Sequence, residues 1–150
     1  MSHEAQPPRR LHFDLQGEPQ DVVHRVEAIE TFMRDSGCDA GSIGQFAIVA
    51  EEILTNILRE AWAGREQGTC TVDIEAVARG DGIHVTMRTE DDGSEFDPTQ
   101  ADPPDLEASL DERSVGGLGI HFIRTMTDTQ TYRRADGHNI FEVTKICPLP

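Results

Sequence analysis

Two pairs of alternating segments restrict the folds open to this chain. Residues 69–78 (TCTVDIEAVA) and 83–89 (IHVTMRT) alternate polar and apolar side chains and are joined by Arg79-Gly80-Asp81-Gly82. Residues 129–134 and 139–146 repeat the arrangement around Ala135-Asp136-Gly137-His138. A period of two marks a strand with one buried face, and a short Asp-Gly link between two such runs marks a hairpin. Two hairpins require antiparallel pairing, and the apolar face of the resulting sheet must be covered by something.

The cover comes from helical patterns. Arg10 to Leu15 reads as a first strand through Leu11, Phe13 and Leu15, and Pro19 then stands where a helix can begin. Val22, Val23, Val26, Ile29, Phe32 and Met33 keep a helical period until Ser36-Gly37 interrupts it. A second helix is expected from about Ser42 to Trp62, with Phe46, Val49, Ile53, Leu54, Ile57, Leu58 and Ala61 on its apolar arc. Residues 92–115 form a long polar loop, and a third helix follows from Gly117 to Thr127. The order β-α-α-β-β-loop-α-β-β predicts an α+β fold. It is a two-layer α/β sandwich with a mostly antiparallel, mixed sheet and helices on one face. One domain over residues 10–147 is expected behind a flexible leader, residues 1–9.

Charge narrows the function. The chain of 150 residues carries 28 acidic side chains against 13 Lys plus Arg, a formal net charge of −15. Nucleic acid is bound largely by neutralising phosphate, so no direct nucleic-acid partner is expected, and no anionic membrane surface either. No window approaches a membrane span, and residues 1–10 (MSHEAQPPRR) lack the apolar stretch of a secretory signal. Cys38, Cys70 and Cys147 show no metal-ligand spacing and read as reduced thiols of a cytoplasmic protein.

Three stretches carry chemistry. In Glu51-Glu52-Ile53-Leu54-Thr55-Asn56, Glu52 and Asn56 stand one helical turn apart, about 40° around the axis, at the edge of the apolar arc. A carboxamide oxygen suits a hard cation such as Mg²⁺, and a carboxylate one turn away can take a proton from an incoming hydroxyl. Asp91-Asp92-Gly93 follows a strand; a carboxylate there can accept the exocyclic amino proton of adenine, and Gly93 lets the backbone approach closely. Gly116-Gly117-Leu118-Gly119 opens a helix, where bare N–H groups and the helix dipole suit phosphate without many lysines. Each stretch alone is common in ordinary proteins. Their order along the chain is not.

With these motifs in place, the sequence resembles the GHKL ATP-binding superfamily, and within it the anti-sigma-factor serine kinases of the RsbW type. The likeness runs over about residues 10–146, including the closing segment RRADGHNIFEVTK. It implies the Bergerat ATP-binding fold, ATP and Mg²⁺ as cofactors, and phosphorylation of a serine on a STAS-domain anti-anti-sigma protein. It also implies alternative binding to a sigma factor, commonly as a homodimer. By the match, Glu52 is the catalytic base and Asn56 the Mg²⁺ ligand. Asp91 and Gly93 contact adenine, and Gly117 and Gly119 face the phosphates. Thr144, on the last strand, is the candidate for supporting Asp91. Two departures stand out: Arg59-Glu60 replaces the His or Tyr of many relatives, and Glu95 replaces the second glycine of D-x-G-x-G. They motivate a competing reading, a non-catalytic partner-binding module whose nucleotide only sets its conformation.

Overall fold

Strands β1 (Arg9–Asp14), β2 (Cys70–Arg79), β3 (Gly82–Asp91), β4 (Thr129–Ala135) and β5 (His138–Cys147) form one sheet in the order β1-β2-β3-β5-β4. Every pairing is antiparallel, so the expected mixed component is absent from the described strands. The structure is a computed structural model and describes residues 7–63, 68–100 and 117–149. Most of the expected loop, residues 101–115, lies outside the described residues, as do residues 1–6 of the leader and Gly116.

The hairpins sit where the turn residues require them. Arg79 pairs with Gly82 across a two-residue loop, and Ala135 pairs with His138 across Asp136-Gly137. Asp136 and Gly137 have φ of 52° and 78°. A type I′ turn, with two left-handed residues, matches the twist of its strands, and Asp-Gly is a preferred way to supply it. Gly82 is forced in its own way: its φ is 145°, and a β-carbon there would overlap the Cys147 carbonyl.

Among the described residues, three α-helices cover one face: α1 (Pro19–Asp35), α2 (Ala40–Asn56) and α3 (Gly117–Met126). The core lies between α1, α2 and the sheet. It is built from Ile29, Phe32 and Met33 of α1, Phe46, Val49, Ala50 and Leu54 of α2, and Val72, Ile74, Val85, Met87 and Val143 beneath them. Helix α2 begins two residues earlier than the pattern predicts, because the Asp39 side chain accepts from Ser42 N at 3.0 Å and caps it. It also ends earlier. From Ile57 to Ala61 the chain widens into a π-turn, closed by Trp62 N donating to Ile57 O at 3.0 Å. Such bulges concentrate at functional sites because they re-aim side chains without ending the helix.

Lys145, the only lysine in the chain, is buried on the helix-covered face. Its ammonium donates to Gln45 Oε1 at 2.7 Å and to the Met126 carbonyl at 2.8 Å, anchoring the C-terminal end of α3 to the sheet and to α2. Cys38, Cys70 and Cys147 are buried free thiols. Among the described residues no helix is long and apolar enough to cross a membrane.

Candidate nucleotide-binding site

At the C-terminal end of α2 the separate motifs meet. A small pocket is lined by Ile53, Asn56, Ile57 and Ala61 from the helix side and by Thr89, Asp91, Asn139 and Phe141 from the sheet, with Phe96 and Pro98 closing it. Asp91 is the last residue of β3 and is only 3% exposed. One of its oxygens, Oδ1, accepts both from Gly93 N and from Asn139 Nδ2, each at 2.9 Å. Among the described residues none donates a hydrogen bond to the other oxygen, Oδ2. The space among the lining residues is about 20 Å³, room for one water and far short of a purine.

The π-turn builds the lip of this pocket. The Ala61 carbonyl accepts from Ser94 N at 2.8 Å, so the loop after Asp91 folds directly over it. A β-carbon at Gly93 would overlap that same carbonyl, which explains the glycine by close approach. Arg134 Nη1 donates to the Gly93 carbonyl at 2.8 Å and holds the loop from the other side.

One turn back along α2, Glu52 meets the third motif. A β-carbon at Gly119 would overlap the Glu52 carboxylate, so glycine is what lets α3 begin beside the acid. Gly117 opens α3 two residues earlier. Burial raises the Glu52 carboxyl above its ordinary value; the Arg59 guanidinium opposes this and Glu51 adds to it. Asn56 is 2% exposed. Its Oδ1 accepts from Arg59 Nη2 at 2.6 Å, and its buried Nδ2 has no partner among the described residues. Glu52, Asn56, Asp91, Gly93 and Gly119 thus share one end of α2.

A profile of the histidine kinase-like ATPase domain family matches residues 15–145. The chain belongs to this family.

Within it the ATPase domain is of the RsbW type. It is 31% identical over 97 residues to the serine/threonine-protein kinase BtrW of Bordetella bronchiseptica, covering 65% of this chain and 66% of that protein. It is 30% identical over 123 residues to the serine-protein kinase RsbW of Listeria monocytogenes, covering 79% and 76%. The fold resembles the solved RsbU and RsbW domains of a Mycobacterium tuberculosis protein, with a TM-score of 0.63 at 16% identity. That match covers 97% of this chain and 34% of the other. The histidine kinase domain of the blue-light-activated kinase of Erythrobacter litoralis has a TM-score of 0.50 at 18% identity, over 87% and 60% of the two chains.

One expected site residue of this ATPase domain lies elsewhere. Thr144 bonds Thr86 Oγ1 at 3.1 Å on the helix-free face of the sheet, opposite to the face that carries Asp91. The reason is parity: Asp91 pairs with Asn139, and Thr144 is five residues further along the same strand, so its side chain points the other way. Asn139 holds the supporting position instead. Its Nδ2 donates also to Ser94 O at 2.8 Å. Its Oδ1 accepts from Tyr132 Oη at 2.6 Å, Arg134 Nη1 at 3.1 Å and Phe96 N at 3.2 Å. These partners fix which way the amide faces. Asn139, Tyr132, Arg134 and Arg59 escape a motif search. Only the pairing of β3 with β5, two strands distant in sequence, reveals Asn139 as the neighbour of Asp91.

Burial also raises the Asp91 carboxyl, while the Asn139 and Gly93 hydrogen bonds pull it back; Asp92 adds to the rise and Arg134 opposes it. A carboxyl raised in the native state holds its proton more tightly there than when unfolded. Its contribution to stability is therefore full below about pH 4, the ordinary carboxylate value, and declines as pH rises through the native one. Asp91→Asn removes this titration. The urea midpoint of the variant relative to the parent is expected to be higher at pH 7 than at pH 4. The opposite trend would mean that the hydrogen bonds outweigh burial.

Proposed function

We propose that this chain binds ATP with Mg²⁺ and, as an anti-sigma-type serine-protein kinase, phosphorylates a serine of a STAS-domain anti-anti-sigma protein. The observation that carries the reading is the convergence of Glu52, Asn56 and Gly119 with the buried Asp91–Asn139 pair around one end of α2. Asp91 Oδ2 would accept the exocyclic amino proton of adenine, with Asn139 and Gly93 keeping Oδ1 engaged and the carboxylate in one orientation. Gly93 keeps the loop pressed onto the π-turn beside the base. The first turn of α3, at Gly117 and Gly119, would offer backbone N–H groups to phosphate, which suits a chain of net charge −15.

Asn56 fits a nucleotide-borne cation: its buried amide already holds positive charge at Oδ1, supplied by Arg59. Asn56 would hold Mg²⁺ through Oδ1, and the bound cation would supply charge neutralisation at the phosphates. Glu52 would receive the serine proton, and its raised basicity serves that role better than an ordinary carboxylate. A sigma factor as alternative partner, and a homodimer as the working assembly, belong to the same reading.

Calorimetric titration with ATP, with and without Mg²⁺, tests the site. The parent is expected to bind with Mg²⁺-dependent affinity, and Asn56→Ala to weaken it roughly tenfold or more. No heat at millimolar ATP would end the nucleotide reading.

A further inference from the structure

The cation already at Asn56 carries a consequence for how nucleotide is admitted. Arg59 follows Asn56 by three residues, within the π-turn, and its guanidinium reaches back to Asn56 Oδ1 at 2.6 Å. Its Nε lies 3.4 Å from Glu60 Oε1, so the side chain is held from both sides while remaining one-third exposed. The Glu52 carboxylate feels the same positive charge. A guanidinium therefore stands at the one Asn56 atom that can ligate a hard cation. The rest of Asn56 is buried, with no partner for Nδ2 among the described residues.

We propose that Arg59 is a latch on the metal position: its guanidinium and Mg²⁺ occupy Asn56 Oδ1 in alternation, and Mg²⁺–nucleotide enters only as Arg59 is released. This rests on the nucleotide reading above. The exclusion is electrostatic and steric together. A Mg²⁺ ion sits about 2.0–2.1 Å from its oxygen ligand. With the guanidinium nitrogen at 2.6 Å from the same oxygen, two cations would share a half-buried site at contact distance, where repulsion is poorly screened. Asn56 is 2% exposed, so the two cations would meet at that oxygen with little solvent between them. Glu60 and Glu52 give the released guanidinium carboxylates to move between, and an arriving triphosphate adds a stronger anion. Arg59 thereby sets how much Mg²⁺ the site needs, apart from any part in catalysis.

The test is the Mg²⁺ dependence of ATP affinity, read by calorimetry at graded Mg²⁺ on the whole chain. Arg59→Met removes the competing charge and keeps the apolar stem. Its Mg²⁺ midpoint is expected to fall about five- to tenfold below that of the parent, the scale of one partly exposed charge-assisted hydrogen bond. Arg59→Gln keeps a polar head without charge, is expected to shift the midpoint the same way, and serves if the Met variant folds poorly. An unchanged midpoint in a folded variant, with parent binding intact, overturns the latch and leaves the nucleotide site standing. A parent that binds no ATP at any Mg²⁺ concentration overturns the reading beneath it.

Discussion

Glu52→Gln is expected to bind ATP as the parent does and to lose phosphoryl transfer by about 10²–10⁴-fold, the usual worth of a positioned general base. The substitution keeps the size of the side chain, which matters because Gly119 leaves no slack around it. It removes the one group of the proposed pair that can accept a proton, and it leaves the Asn56 and Asp91 contacts untouched. The amide also ends the cost of holding a carboxylate in a half-buried position, so the variant should unfold no earlier than the parent. The measurement is phosphate incorporation into a purified STAS-domain partner, alongside ATP calorimetry. Transfer at the parent rate would remove Glu52 from the role and return attention to a partner-binding module of the same fold.

Asn139→Leu should produce the largest loss of stability at this site, about 3–5 kcal/mol. Five hydrogen bonds converge on this amide, which is 3% exposed. Leucine replaces none of them. Asp91 would keep only Gly93 N, and Ser94 O, Phe96 N and the Tyr132 hydroxyl would lose a partner in a site with space for a single water. For a chain of this length the loss corresponds to a fall in Tm of roughly 6–20 °C. Urea unfolding gives the free energy directly, and ATP affinity should fall with it because Asp91 is no longer oriented. A loss below about 1 kcal/mol would show that water replaces the amide and that Asn139 is not the hub.

The two predictions draw on different kinds of information. Glu52 and Asn56 are legible in the chain itself, because a helical period of 3.6 brings residues four apart onto one face whatever the rest of the protein does. Asn139 is not, because its value depends on pairing across a sheet. The family resemblance points to Thr144 for a role that register gives to Asn139, and a slip of an odd number of residues turns a side chain to the opposite face. The same limit applies to α2. Its apolar arc runs unbroken to Ala61, so sequence reads one helix to Trp62, whereas the chain widens into a π-turn after Asn56 to place Ala61 beneath Gly93 and Arg59 onto Asn56.

Local patterns in the sequence were enough to determine the element order, both hairpins, a mostly antiparallel sheet with helices on one face, and the E-x-x-x-N, D-x-G and glycine stretches. Each of those depends on neighbours within a few residues: alternation, helical period, turn chemistry. The tertiary structure alone decided that Glu52 lies against Gly119, that Asn139 rather than Thr144 holds Asp91, that Arg59 caps Asn56, and that the pocket beside Asp91 is nearly closed. These are contacts between residues distant in sequence, or made through a bulge. Sheet register and helix packing set them, and a one-dimensional pattern carries neither.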